Sequence, residues 1–304
     1  MIFNTTGQVT DRFYIAGLSV YPVHLLDSER PALFEAGVAC AGSIYTEAIR
    51  SVLGTKQPQL LFITHAHWDH CGAASFFKRA FPFLKIAASR KASEILKRQN
   101  AVDLIKKLNR NAEPIVAGFP DVDPSRLTHG AFEPFEIDIE VEDGNVIELD
   151  KGLTVEVLAT PGHTRDHMSY YIPQRKILIA AEASGCLDSA GNIMTEFLAD
   201  FDAYLVSLRR LANLPVEVLC QGHRILFVGK DEVRAFLTRS ISEAIRFRDR
   251  VFELLESEGG SIEQVVGRIK AERYDTIKGI KQPEVPYLLN LRAQVAHLAK
   301  RINQ

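Results

Sequence analysis

The stretch His65-Ala66-His67-Trp68-Asp69-His70 places three of the chain's nine histidines and an aspartate within six residues. It follows the apolar run Leu60-Leu61-Phe62-Ile63 and Thr64 directly. An apolar run that ends in polar donors is typical of a buried strand presenting those donors at its C-terminal end. Imidazole and carboxylate groups are the usual ligands of zinc and related first-row metals. Four such donors are hard to place around one tetrahedral ion, so the stretch predicts two adjacent metal ions and metal-assisted catalysis.

A histidine on a strand can also be an ordinary core or surface residue, and we assign that role to His24, His129 and His297. For the cluster this explanation is poor, because imidazoles this close repel one another when protonated and leave donors unpaired when buried. Cys71 and Cys220 lie beside candidate ligands, but a small buried thiol that packs like an apolar side chain is the simpler interpretation.

The composition is that of an ordinary globular chain of 304 residues, with 46% hydrophobic and 24% charged residues. The net charge of -2 gives no overall electrostatic attraction for nucleic acid. We see neither a signal peptide nor a membrane span, and therefore expect a cytoplasmic protein. The four cysteines are scattered without a CxxC pair, which disfavours a disulfide framework.

Short apolar or alternating runs in the first 230 residues predict strands. The predicted strands cover residues 13–17, 23–26, 32–35, 85–88, 137–141, 155–158, 170–172, 176–180 and 216–219. Helices are predicted over 43–53, which Gly54 ends, and over 73–80. Strands alternating with helices after an opening meander indicate an α/β sandwich.

Two further regions are predicted to be mainly helical. Residues 89–125 form an insertion near the site, with helices over 89–112 and a loop from Pro114 to Pro124 that could be a lid, a wall or a connector. From Asp231 onward the apolar residues recur at helical spacing, so we divide the chain into a domain over 1–230 and a helical extension over 231–304. The apolar faces of this extension would suit a cap over the site or a homodimer.

Three more candidate ligands each follow a predicted strand. His163 ends Thr160-Pro161-Gly162-His163, Glu182 follows Ala181, and His223 follows Gly222. Ligands at the C-terminal ends of several strands converge at one rim of a sheet, where α/β proteins build their sites.

These motifs, in this order, resemble the metallo-β-lactamase-fold hydrolases over roughly the first three-quarters of the chain. The resemblance implies an α/β fold of the αββα sandwich type, with two facing mixed sheets, outer helices and a C-terminal helical extension. In motif style the chain is most similar to glyoxalase-II-like and thioesterase-like members. Some of the latter act in quinolone signalling and carry a similar extension and a similar string over His65 to Gly72.

The resemblance also implies a ligand set for two divalent ions, zinc first, with iron or manganese as alternatives. The first ion would be held by His65, His67 and His163, the second by Asp69, His70 and His223, and Glu182 would bridge them. The family usually has Gly-Asp where this chain has Ala181-Glu182. The longer side chain implies a bridge that is displaced, monodentate or missing.

Asp166 and His167 follow His163 in a string similar to that of glyoxalase II. A role in orienting a ligating imidazole through its other ring nitrogen fits Asp166, whereas the role of His167 stays open. A solvated turn is the alternative for both.

The expected chemistry follows from the metals. Water between two cations loses a proton near neutral pH, and the resulting hydroxide attacks an ester, thioester or lactone held against one ion. Asp69 would orient the nucleophile, receive its proton and bind metal. No Gly-x-Ser-x-Gly motif or glycine-rich phosphate loop competes with this scheme. We therefore expect a small-molecule ester or thioester as substrate.

Two other functions stay open. A regulatory or binding protein that keeps the fold but has weak activity would explain Glu182 and the helical extension. A phosphodiesterase or nuclease could use the same ions, although the net charge of -2 makes nucleic acid an unexpected partner.

Overall fold

The computed structural model describes residues 1–120, 122–128, 132–188, 190–278 and 284–302. The strands in these ranges are β1 (Ile2–Phe3), β2 (Gly7–Thr10), β3 (Phe13–Gly17), β4 (Pro22–Leu26), β5 (Ala32–Phe34), β6 (Leu60–Phe62), β7 (Lys85–Ser89), β8 (Ile139–Val141), β9 (Val146–Asp150), β10 (Leu153–Ala159), β11 (Met168–Ile172), β12 (Ile177–Ala181), β13 (Cys186–Leu187), β14 (Ile193–Met194), β15 (Val218–Gln221) and β16 (Leu226–Val228). The helices are α1 (Gly42–Leu53), α2 (Ala74–Ala80), α3 (Arg90–Leu96), α4 (Gln99–Ala117), α5 (Phe201–Ala212), α6 (Lys230–Ser257), α7 (Ile262–Arg273) and α8 (Glu284–Ile302).

Two mixed sheets form the centre of the protein. The first has the order β2-β3-β4-β5-β6-β7-β8 and changes from antiparallel to parallel pairing at β5. The second has the order β1-β16-β15-β12-β11-β10-β9, and its β12 and β15 run parallel. Strands that run parallel end at the same edge of a sheet, so each sheet gathers several carboxyl ends at one rim.

The inner faces of the sheets pack together through aromatic rings and two cross-sheet hydrogen bonds. Phe62 of the first sheet and Tyr170 of the second have ring centroids 5.0 Å apart. The Tyr170 hydroxyl donates to the Ile63 carbonyl at 2.7 Å, and the Met168 amide donates to the Thr64 carbonyl at 2.8 Å. Both bonds end on the two residues that precede His65, so the packing of the sheets positions the histidine cluster.

Helices cover the outer faces, which completes the αββα sandwich expected from the sequence. α1 to α4 contribute to an apolar cluster on the first sheet, and α5 to α8 contribute to one on the second. Val233, Phe236 and Leu237 of the predicted helical stripe are each 2% exposed in the second cluster. The C-terminal helices thus share a core with α5 and the second sheet. In the described part of the chain, no helix is long and apolar enough to cross a membrane.

The predicted loop from Pro114 to Pro124 begins too early, because α4 continues to Ala117. Proline inside a helix removes one backbone hydrogen bond and crowds the preceding turn. Here Ala112 and Val116, on either side of Pro114, are 2% and 0% exposed. Burial of this apolar face outweighs the cost of the proline. The remaining predicted loop includes a short 3-10 turn over Pro124–Arg126.

Tyr45 of α1 provides a test of the packing beside the site. It is fully buried, and a Cβ at Gly37 would overlap its ring and hydroxyl. Gly37 has φ +53°, so Gly37→Ala would add left-handed strain of about 1–2 kcal/mol and overpacking of about 1–3 kcal/mol. Gly144 has φ +81° with nothing within 4 Å of its Cβ position, so Gly144→Ala would add only the strain. In urea unfolding, we expect Gly37→Ala to be the more destabilising change, and equal losses would contradict the packing argument.

Candidate metal centre

The loop after β6 carries four of the candidate ligands on a tightly held backbone. The amides of His70 and Cys71 both donate to the His67 carbonyl at 3.1 Å. The Ala36 amide, just beyond β5, donates to the His70 carbonyl at 2.7 Å. The loop is therefore fixed both internally and to the neighbouring strand.

The other three candidates come from the second sheet. His163 follows β10, Glu182 follows β12 directly, and His223 follows β15. Gly162 has φ +134°, and a Cβ there would overlap the backbone of Tyr204, so the turn that delivers His163 needs glycine.

The structure brings these donors into three groups, in each of which the ligand atoms lie within 4.8 Å of one another. The groups are His65, His67 and His163; Asp69, His70 and His223; and His65, His167 and Glu182. The first two match the two ligand sets expected from the resemblance. The third adds His167, whose role the sequence left open.

The distances between donors suit metal binding. His163 Nε2 lies 3.2 Å from His67 Nδ1. His223 Nε2 lies 3.4 Å from Asp69 Oδ2 and 3.2 Å from Glu182 Oε1. Tetrahedral ligands with bonds of about 2.0–2.1 Å stand about 3.3–3.4 Å apart. The imidazole and carboxylate set therefore fits a divalent ion in both spacing and chemistry.

Several of these donors are buried without a hydrogen bond inside the described part of the chain. They include His65 Nε2 and both carboxylate oxygens of Glu182. His65 is 0% exposed and Glu182 is 4% exposed, so solvent does not satisfy them. Buried polar atoms are normally paired, and unpaired ones that converge point to a missing ligand such as a cation.

Hydrogen bonds to the far ring nitrogens orient three of the imidazoles. His65 Nδ1 lies 2.9 Å from the Thr64 hydroxyl, and His163 Nδ1 lies against the Glu196 carbonyl. His223 Nδ1 lies 3.3 Å from the Val20 carbonyl. In each ring the other nitrogen is left for the centre, which is the arrangement that metal-binding histidines use.

The pKa values of the candidate ligands are shifted by burial and by neighbouring charges. Burial lowers the pKa of His65 and His163 well below the usual histidine range, and neighbouring imidazoles lower them further. Burial alone would raise the pKa of the Glu182 carboxyl, but His70 and His223 beside it hold that pKa well below its ordinary value. Burial alone would lower the pKa of His70 and His223, but the neighbouring Glu182 raises both above the ordinary histidine value. The centre therefore combines the neutral imidazoles of His65 and His163 with a carboxylate that His70 and His223 keep anionic.

Glu182 stands at a strained point of the backbone. The preceding Ala181 is 2% exposed and has φ +44°, a left-handed conformation that alanine rarely adopts. Across the site, a Cβ at Gly222 would overlap the Glu182 carboxylate. The carboxylate thus occupies space that only glycine leaves free.

Asp166 and His167 lie beneath the centre. Asp166 Oδ2 accepts a hydrogen bond from the Ala66 amide at 2.8 Å, so it holds the backbone of the ligand loop where we expected it to orient an imidazole. His167 stacks on His65 with centroids 4.9 Å apart, and its Nδ1 lies 2.9 Å from the Thr160 hydroxyl.

Sequence reasoning missed two acidic residues of the site. Glu35, at the end of β5, is 4% exposed, and its Oε2 lies 3.3 Å from His70 Nδ1. Glu196 provides the carbonyl for His163, and burial followed by the Glu182 charge raises the pKa of its carboxyl to about 8. The predicted strand over residues 32–35, which ends in an acidic residue, was the available signal for Glu35, whereas no strand was predicted before Glu196.

The remaining histidines are placed apart from the three groups. His24 is buried and stacks on Phe13, and His297 Nε2 accepts a hydrogen bond from the Phe201 amide. His129 lies outside the described residues. Cys71 and Cys220 are buried and belong to none of the three groups found in the described part of the chain.

This chain is similar to several known proteins. A probable metallo-hydrolase of Bacillus subtilis (strain 168), YflN, is 26% identical over 227 residues, covering 66% of this chain and 77% of that protein. A hydroxyacylglutathione hydrolase of Ruegeria pomeroyi is 28% identical over 207 residues, covering 67% of this chain and 61% of that protein. Among solved structures, a metallo-beta-lactamase family protein of Thermus thermophilus superposes with a TM-score of 0.62 at 18% identity, covering 99% of this chain and 93% of that one.

The chain spans 47% to 77% of the length of the first three curated relatives. The family model of the Metallo-beta-lactamase superfamily matches residues 21–223, a span that contains all seven candidate ligands named in the sequence analysis. With the two-sheet fold and the converging donors, this match shows that the chain belongs to the metallo-beta-lactamase superfamily.

Proposed function

We propose that the protein is a metal-dependent hydrolase that uses two divalent cations, zinc first, to cleave an ester or thioester of a small molecule. The observation that carries this proposal is the convergence of two three-donor groups that are joined by one unpaired carboxylate. Superfamily membership supports the hydrolytic chemistry.

The two groups divide the ligands between the ions. His65, His67 and His163 would hold one, and Asp69, His70 and His223 the other. Glu182 lies between them, with Oε1 3.2 Å from His70 Nε2 and Oε2 3.8 Å from His65 Nε2. When bound, such a pair of cations acidifies water and polarises a carbonyl oxygen.

The protein's own groups would supply the rest of the chemistry. The Asp69 side chain is 12% exposed at the edge of the second group, where it can orient an attacking water and receive its proton. Contacts to the far ring nitrogens orient His65, His163 and His223, so these three imidazoles would hold the centre without reorganisation.

The substrate class rests on likeness to relatives. The Ruegeria pomeroyi protein is, by its name, a hydrolase of an acylated glutathione. From this likeness we propose that the substrate of this protein is also a thioester or an ester. The net charge of -2 supports a small molecule over nucleic acid.

Elemental analysis of the purified protein tests the metal proposal directly. We expect close to two ions per chain, and His67→Ala should remove one ion and nearly all thioester hydrolysis. His297→Gln is the matched control, because His297 lies on α8 and belongs to none of the donor groups in the described residues. An unchanged metal content in His67→Ala would overturn the assignment, and one ion or none in the wild type would favour the regulatory function.

Glu182 can be tested through the residue pair that is usual in the family. If Glu182 bridges the ions, Glu182→Asp combined with Ala181→Gly should strengthen metal binding or turnover. Ala181→Gly alone should raise the free energy of unfolding by about 1 kcal/mol, because it relieves left-handed strain. Chelator competition and urea unfolding separate the two effects, and a double variant with neither metal affinity nor turnover changed would place the bridge elsewhere.

Glu35 should act by positioning His70. Its carboxylate is buried, makes no hydrogen bond within the described ranges and lies 3.3 Å from His70 Nδ1. It would therefore favour the tautomer with a proton on Nδ1 and leave Nε2 for metal. We expect Glu35→Gln to weaken metal affinity by about 10- to 100-fold. Glu47→Gln, at an exposed ion pair with Arg126, is the control, and an affinity equal to the control's would show that Glu35 is only a packing residue.

A further inference from the structure

Three aromatic rings stand together beside the candidate metal centre. Tyr21 precedes β4, Trp68 lies inside the histidine cluster, and Phe119 follows α4. The Tyr21 ring centroid is 5.7 Å from that of Trp68 and 6.3 Å from that of Phe119. We call these three residues the aromatic wall.

The wall adjoins the ligands themselves. The Tyr21 and His223 rings meet edge to face with centroids 5.5 Å apart. In the sequence, Trp68 directly follows the candidate ligand His67 and precedes the candidate ligand Asp69. A molecule held at the ions would therefore meet these rings.

Buried groups hold the wall in place. Fully buried Tyr45 donates a hydrogen bond to the Tyr21 carbonyl at 2.8 Å. Asn109 of α4, 3% exposed, donates from Nδ2 to the Trp68 carbonyl at 3.1 Å and accepts from the Ala39 amide at 2.8 Å. The backbone of two wall residues is thus fixed before any ligand arrives, which lowers the entropy lost on binding.

The side chains of the wall are nevertheless only half-buried. All three rings have intermediate exposure and pack against the first-sheet cluster on one side. The Tyr21 hydroxyl makes no hydrogen bond within the ranges that the structure describes, although a tyrosine this enclosed usually finds a partner. Anchored aromatic rings that are partly exposed and include a free hydroxyl are typical of the lining of a small-molecule site.

We propose that the aromatic wall recognises an aromatic ring in the acyl part of the substrate. The substrate is then an ester or thioester of an aryl or arylalkyl carboxylic acid, a statement that rests on the proposed hydrolase function. Rings prefer other rings in offset or edge-to-face contact beyond the area they bury, by about 2- to 12-fold in binding.

Matched thioesters test the proposal by turnover. Phenylacetyl and cyclohexylacetyl thioesters of one thiol differ in the ring alone, and the acetyl thioester lacks it. We expect kcat/KM to favour phenylacetyl over cyclohexylacetyl by about fivefold in the wild type. Phe119→Leu should reduce this preference to less than twofold, while the metal content stays that of the wild type. Phe83→Leu is the control, because Phe83 is 78% exposed and lies outside the wall.

Binding provides a readout that needs no turnover. Trp68 is the chain's single tryptophan, so intrinsic tryptophan fluorescence reports on the wall alone. Titration of the metal-loaded protein with phenylacetate should change this fluorescence at concentrations about fivefold lower than cyclohexylacetate requires. Phe119→Leu should remove the difference and Phe83→Leu should retain it.

The two assays separate this inference from the function on which it rests. Preferential phenylacetate binding without thioester cleavage would support the wall and refute the hydrolase. Cleavage of the acetyl thioester, with no ring preference in turnover or in binding, would support the hydrolase and overturn the wall.

Discussion

The structure depends on keeping unpaired donors buried together where the two sheets meet. His65 and Glu182 are almost fully enclosed, yet His65 Nε2 and both Glu182 oxygens lack hydrogen bonds in the described part of the chain. Each such atom costs about 1–3 kcal/mol unless a ligand satisfies it. The inter-sheet hydrogen bonds to Ile63 and Thr64 hold the donors in this unfavourable arrangement. A bound cation would pair with the donors and so stabilise the folded state.

Topology explains why donors far apart in sequence meet. β5, β6 and β7 run parallel in one sheet and β12 and β15 in the other, so carboxyl ends collect at a shared rim. Close approach then depends on missing side chains. Gly162 leaves room for the Tyr204 backbone and Gly222 for the Glu182 carboxylate. Strand direction brings the segments to the rim, and glycine allows the final contacts.

The sequence predicts the site residues that come directly after a recognisable strand. Each expected ligand directly follows a strand or its turn, which is a local signal, and the family resemblance supplied the grouping. Glu35 also ends a strand, but its meaning comes from His70, which only the fold places beside it. The same limit explains the error at Pro114. Local propensity ends a helix there, whereas burial of Val116, a tertiary effect, continues it.

The exchange of the usual Gly-Asp for Ala181-Glu182 gains a physical explanation from these contacts. The added methylene has not withdrawn the carboxylate from the centre, because its Oε1 lies 3.2 Å from both His70 and His223. Its Oε2 is farther, 3.8 Å, from His65. If two cations bind as proposed, such an asymmetric carboxylate would give the second donor group a fourth ligand and leave the first with three. Catalytic zinc sites keep a position open in this way, and closed sites do not. The exchange therefore keeps the carboxylate at the centre, at the cost of left-handed strain in Ala181.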